Sequence, residues 1–241
     1  SRKTMIFLKD KKNPVILLLS ILFIIKIPQQ EGLRFAFWVF SGVLLTSLFD
    51  VLTTVILQKR IIVPKSAVIS GFIVSGILDY RQTWFVLVIF SLLPIISKHI
   101  LKFKHKHIFN PANFSLAIAT FFKVPLTWNI ESNIYLIIIA GIYIVYSLKK
   151  IPHIIGFFVF FISLFLTQTA NPISMISWFF VFIMLIEPKT SGYGILRGFI
   201  FGSIAGITAF LIFKFFPSYD FLVIGLFVAN LFNPLLEKLN N

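Results

Sequence analysis

Uncharged runs of Ile, Phe, Leu and Val alternate with short connectors along the whole chain, and nearly every Lys and Arg falls in every second connector. That alternation leaves few folds open. A soluble domain needs polar surface to cover its core, yet 58% of these residues are hydrophobic and only 12% are charged, a balance that points to lipid as the solvent. In hydrocarbon every backbone N–H and C=O must be paired internally, by helices or by a closed barrel. Barrel strands alternate polar with apolar residues, whereas 15–25 and 134–145 are apolar all round. The sequence therefore predicts an all-α, polytopic membrane protein.

A helix needs about 20 residues to cross about 30 Å of hydrocarbon. On that scale ten spans are expected, near 14–27, 34–57, 62–79, 84–101, 108–123, 132–148, 151–169, 172–187, 194–215 and 219–236. The first is short, and Asn110 and Asn113 interrupt 108–123; whether 62–79 and 108–123 cross fully or form half-helices stays open at this point. Basic loops stay cytoplasmic. Lys11 and Lys12 precede the first span, Lys59, Arg60 and Lys65 follow the second, and Lys98, Lys102 and Lys106 follow the fourth. Lys149 and Lys150 follow the sixth and Lys189 the eighth, so both termini are expected on the cytoplasmic side of a single integral domain covering 1–241. The first span, lacking a small-residue cleavage site after it, reads as a span and not as a cleaved signal peptide.

Composition narrows function as well. The formal net charge of +14 is scattered over helix ends, with no basic face interleaved with aromatics, so nucleic acid is not the expected partner and anionic headgroups are. Without Cys the chain has no thiol nucleophile and no thiolate to hold an iron–sulfur cluster. His99, His105, His107 and His153 lie in or beside basic connectors with no carboxylate or thiol at ligand spacing, so no metal site is expected. No Ser/His/Asp constellation, paired carboxylates or Walker-type loop is present, which argues against an independent catalyst.

Polar side chains at membrane depth cost about 2.5–3.5 kcal/mol each at a helix centre and ask for a reason. Asp50 lies inside the second span. Pro64-Lys65-Ser66, Phe109-Asn110-Pro111-Ala112-Asn113 and Glu187-Pro188-Lys189-Thr190-Ser191-Gly192 each join a proline to hydroxyl or amide residues. Read as helix starts, these would offer unpaired N–H groups to a phosphate or a flavin ring carbonyl; equally, Ser66, Asn110 and Thr190 could be ordinary N-caps. Gly198, Gly202 and Gly206 fall at every fourth position of the ninth span, a stripe that lets another backbone approach closely. The chain also echoes itself: Pro64-Lys65-Ser66 with Pro188-Lys189-Thr190, and Phe109-Asn110-Pro111 with Phe232-Asn233-Pro234. These echoes suggest repeat halves of about 1–123 and 124–241, a plan common among transporters.

Three stretches together resemble the NqrB/RnfD family, the integral membrane proteins of the sodium-pumping NADH:quinone oxidoreductase and of the Rnf electron-transport complex. They are Ser66-Ala67-Val68-Ile69-Ser70-Gly71, Phe109-Asn110-Pro111-Ala112 and Phe182-Ile183-Met184-Leu185-Ile186-Glu187-Pro188-Lys189-Thr190-Ser191; Glu187 stands where the family's Met-Ala-Thr-Asp-Pro-Val-Thr-Ser-Pro stretch has Asp. Glu131-Ser132 and the terminal Val228–Leu236 segment add to the likeness. The resemblance implies a ten-helix domain distantly like urea channels, in the bacterial cytoplasmic (inner) membrane. It further implies a complex that moves electrons, in characterised relatives coupled to ion transport, with other membrane subunits and a flavinylated or iron–sulfur redox partner. Those relatives carry FMN esterified to a Thr in a Ser-Gly-Ala-Thr-like sequence of the outward loop between the fifth and sixth spans; here that loop, 123–131, holds no such motif. Any flavin, FMN or riboflavin, is therefore expected to be held noncovalently, with Lys65, Ser66, Ser70, Asn110, Glu187, Lys189, Thr190 and Asn233 as candidate cofactor-binding residues. Two other functions fit the same sequence: a transporter or channel for a small polar solute or cation, and a purely structural anchor of a complex.

Overall fold

The computed structural model describes residues 10, 12–103, 106–188, 190, 191 and 194–240. The chain is helical almost throughout. Its elements are α1 (Lys12–Lys26), α2 (Leu33–Gln58), α3 (Lys65–Ile77), α4 (Trp84–Ile100), a two-residue hairpin of β1 (Lys102–Phe103) and β2 (Lys106–His107), and α5 (Pro111–Phe121). After a long connector come α6 (Ile134–Leu148), α7 (Ile151–Phe165), a short 3₁₀ turn at Pro172–Met175, a π-helical segment at Phe180–Met184, α8 (Ile195–Phe215), α9 (Phe221–Leu231) and the single turn α10 (Asn233–Leu236).

Three helical stretches, Lys12–Gln29, Leu33–Gln58 and Ile195–Phe215, are long and apolar enough to cross a membrane. The expected eighth span, 172–187, is broken: a 3₁₀ turn at Pro172–Met175 precedes a helix that turns π at Phe180–Met184 and stops before Glu187. Likewise α3, with 13 residues, and α5, with 11, reach only about 20 and 16 Å, short of a hydrocarbon core. Both of these are half-length helices preceded by proline or an Asn-Pro cap, so the polar clusters that interrupt the sequence pattern also shorten the helices.

The connectors gather at two ends. At one, Lys65 pairs with Asp10 at 2.6 Å, Lys106 with Glu237 at 2.7 Å, Arg197 donates to the Glu237 carbonyl and Asn233 to the Ile108 carbonyl. At the other, Gln30 bonds Asn129, Tyr80 bonds Gln30, Arg81 pairs with Glu31, and Lys123 bonds Ser218. The basic connectors thus share one end, together with Asp10 and Glu237, and the base-poor connectors share the other.

Helix faces are inverted relative to a water-soluble bundle. On α2 the buried stripe Gly42, Thr46, Asp50, Thr54 carries the polar groups, whereas Leu44, Leu48, Leu52 and Ile56 on the opposite face are exposed. Inside, packing is close: a Cβ on Gly202 would collide with the His153 carbonyl oxygen and one on Gly156 with that of Phe199, so α7 and α8 touch backbone to backbone. Pro94 within α4 has no N–H to give the Phe90 carbonyl, and Ser115 of α5 supplies the missing donor at 2.7 Å.

The two halves of the chain run through similar elements. Helices α1 and α6 have 15 residues each, and α5 and α9 have 11 each. Asn110 caps α5 by accepting from the Asn113 N–H, and Asp220 caps α9 by accepting from the Val223 N–H. The two helix starts meet, Asn113 Nδ2 donating to the Val223 carbonyl at 3.1 Å.

Candidate functional site

At the basic end a cavity of about 400 Å³ lies among α3, the end of α4, the start of α5, the end of α6 and residues 183–188. Its size falls in the range of small-molecule sites. Most of the wall is aliphatic, from Ile69, Ile73, Ile95, Ile144, Ile183 and Ile186. Polar groups enter at a few points: Ser66 and Ser70, four apart and so on one face of α3, with Asn110, Lys98 and Glu187. Asp10 and Lys12 complete the rim.

Four of the eight candidate residues therefore converge: Ser66, Ser70, Asn110 and Glu187. Of the others, Lys65 stands at the first turn of α3, engaged by Asp10. Neighbouring ammonium and N–H donors, Lys65 first and Lys12 next, hold the Asp10 carboxyl below its usual range. Thr190 sits behind Glu187, its Oγ1 donating to Glu187 Oε2 at 2.8 Å. Asn233 lies further back, its Nδ2 donating to the carbonyls of Thr190 and Ile108 and to Asn230 Oδ1. That arrangement is a clip joining three connectors, not a cavity wall. Lys189 lies outside the described residues.

The two readings of these prolines as helix starts divide. Asn110 is a true N-cap, and its Nδ2 also donates to the Met184 carbonyl at 3.2 Å, so its amide is committed on both sides. Ser66 is already inside α3, whose N-cap is Pro64 with no side-chain cap. Pro188 and Thr190 follow a helix instead of opening one, since α8 begins only at Ile195 with Gly194 as N-cap. The anion-site expectation thus fails at Thr190, because the N–H groups there belong to a turn closed on the Glu187 carbonyl.

Behind the cavity wall stands a group whose depth was legible and whose partners were not. Asp50 of α2, 3% exposed, receives Lys98 Nζ on both carboxylate oxygens at 2.6 Å and lies 3.0 Å from His99 Nε2. A carboxylate at this depth is tolerable only when paired and hydrogen-bonded. Lys98 carries that pair to the cavity surface.

A second buried cluster reaches the cavity through Glu187, whose carboxylate acts on Lys150. Lys150, expected as a connector base facing headgroups, is fully buried instead. Lys149 adopts a left-handed C-cap conformation, which makes the α6 to α7 connector so tight that Lys150 turns inward. Its Nζ donates to Ser191 Oγ at 2.9 Å, and His153 bonds the Ser191 carbonyl. Burial pushes the Lys150 amine down to about 7, against the opposing pull of the Glu187 carboxylate.

No protein-family model matches the chain, and no curated protein does.

Proposed function

We propose that this chain is the membrane-embedded component of a flavin-dependent electron-transfer complex of the Rnf and Nqr type, and that the cavity at its basic end holds a flavin noncovalently. The carrying observation is the character of that cavity: aliphatic walls with hydroxyl and amide groups at one side. Such a slot suits a planar, largely apolar ring with polar edge atoms. The Ser66 and Ser70 hydroxyls, which make no hydrogen bond to the described residues, are the groups able to bond the ring edge. Flavin supplies one- and two-electron transfer when bound. The chain's own residues bind and orient it: Ile73, Ile95 and Ile183 exclude water from the ring, while the paired Lys98 sets the local charge. Redox partners, flavinylated or iron–sulfur, would have to supply and accept the electrons.

In this reading the chain crosses the bacterial cytoplasmic membrane with its basic end inside and lipid over the outward faces of α2, α6 and α7. The half-length helices α3, α5 and the Phe180–Met184 segment are buried within the bundle, which is where such helices are tolerated. Ten elements, five in each half, correspond in order, and the contact of Asn113 with Val223 joins equivalent positions of α5 and α9. That correspondence supports a duplication into about 1–123 and 124–241. It pairs the start of α5 with the start of α9, a different match from the Asn-Pro echo, and an odd number of elements per half makes the repeat inverted.

The same symmetry favours a second reading, a transporter or channel for a small polar solute or cation with its site between inverted halves. One preparation separates the two. Purified with its native partners, the protein should carry flavin that is released on denaturation and identified by its absorbance and fluorescence, and Ser66→Ala with Ser70→Ala should lower the amount retained. A colourless complex that releases no flavin, together with solute flux in liposomes lacking any electron donor, would establish the transporter instead.

A further inference from the structure

The cavity does not run through the molecule. On α3 its lining stops at Ile73, and the next turn, Gly76 and Ile77, is covered by the connector that joins the two halves. That connector folds back into the bundle. Thr127 N–H donates to the Ile77 carbonyl at 2.7 Å and Ile130 N–H to the Gly76 carbonyl at 2.9 Å, so it caps the carbonyl end of α3. The Ile130 side chain, 2% exposed, rests on Gly76, where an added Cβ would meet its Cδ1 at 2.9 Å. One residue on, Glu131 Oε1 accepts from Phe179 N–H and Ser177 Oγ, both at 2.8 Å, and so caps the start of the helix that carries the π segment. Trp128 Nε1 donates to Asp220 Oδ2 at 2.8 Å, tying the same connector to the start of α9.

We propose that residues 124–131 are a gate: a strap that seals the cavity at the end away from the bases and that must leave Gly76, Ile77 and Phe179 before the cavity can open there. Its attachments are suited to release. Ile130, the one fully buried side chain among its apolar anchors, sits on a glycine; Val124, Leu126 and Trp128 are only partly buried against the core, and the remaining ties are individual hydrogen bonds, several of them to helix ends. Trp128 holds a left-handed backbone at φ 50°, as does Lys123 beside the strap at φ 58°, a conformation that costs energy in residues with a Cβ. Burial raises the Glu131 carboxyl above its ordinary range despite the hydrogen bonds it accepts, so water reaching that carboxylate favours the released form. The Glu131 lock also abuts a π segment whose Ile183 lines the cavity, and such segments accommodate changes of helix register. Release at one end of that helix would therefore be felt in the cavity wall. The inference concerns access and holds for either occupant, flavin or solute.

Because the chain has no cysteine, Ser70→Cys places a single thiol in the cavity. In sealed vesicles of each orientation, a membrane-impermeant maleimide should label it from the basic side and hardly at all from the other. Adding Trp128→Ala with Ile130→Ala, or the milder Glu131→Gln, should raise labelling from the far side about tenfold or more, the response expected when a minor open state gains population. Labelling from the basic side should stay as it was, which reports that the variants remain folded. Equal labelling from both sides in the chain altered only at Ser70 would overturn the gate, as would lock variants that leave far-side labelling unchanged. No labelling from the basic side would overturn the cavity assignment itself, a separate failure.

Discussion

Helices α7 and α8 late in the chain and α2 and α4 early in it are joined by opposite means. The later pair meets backbone to backbone, with Gly156, Gly198 and Gly202 facing the other helix's main chain or His153. The earlier pair is bridged by polar side chains, Asp50 reaching Lys98 and His99 across the gap. Without a hydrophobic force between helices in lipid, association rests either on close van der Waals contact or on polar bonds that cannot be exchanged for water. Between these two helix pairs the molecule uses one of each, although Gly71 of α3 also packs on the Val43 backbone of α2. The consequence is that, beside the cavity, the first-half wall carries charge that a ligand can influence.

Substitutions can break either joint. The largest effect is expected from Gly202→Ala: its methyl group would collide with a backbone oxygen that no side-chain rotation can move, so α7 and α8 must separate. Loss of folded protein in detergent, read by thermal unfolding and size exclusion, should follow, while Gly32→Ala, with nothing within 4 Å, serves as a comparison limited by its backbone alone. A native unfolding temperature for Gly202→Ala would refute backbone contact between these helices.

Next comes Asp50→Ala, which strands Lys98 beside the cavity without its counter-charge. Removing one partner of a buried pair costs about 3–5 kcal/mol. Asp50→Asn, which keeps a hydrogen-bond acceptor for His99, should lose less. Equal and small losses for both would mean that the pair is solvated and joins nothing.

The smallest effect, and the only one with a pH signature, concerns Lys150. Its amine is lowered from 10.5 to about 7 in the folded chain, so unfolded chain binds the proton more tightly and folding stability falls as pH drops from about 10 towards 7. Above 10.5 the burial carries no charge penalty, and below 7 the penalty is constant. Lys150→Met should flatten this slope and, despite losing the Ser191 bond, raise the unfolding temperature near neutrality. An unchanged slope between pH 7 and 10 would show that Lys150 is not the group responsible.

The joints differ also in how far they could be read from the chain. The glycine stripe of α8 is a local pattern with a four-residue period, and its packing role follows from geometry alone. Element boundaries were legible for the same reason: 34–57 was expected where Leu33–Gln58 forms, and 84–101 where Trp84–Ile100 does. Asp50 stood out by its depth, but its partners lie 48 and 49 residues away, and no periodicity joins them. Ser115 was unreadable in a similar way, since its role depends on the carbonyl that Pro94 leaves bare in another helix. Lys150 looked like one more cytoplasmic base because composition reports a residue's type and not the turn that sets its direction. The gathering of Ser66, Ser70, Asn110 and Glu187 followed from their polarity at depth, whereas the retreat of Asn233 into a clip required the tertiary contact with Ile108 and Thr190.

Everything proposed for the cavity depends on the two ends lying on opposite sides of a bilayer, and single thiols test that directly. Lys102→Cys stands on the hairpin at the basic end and Thr127→Cys on the opposite connector, both exposed. In sealed vesicles an impermeant reagent should modify the first only from the cytoplasmic face and the second only from the other. Modification of both from one face would contradict the account.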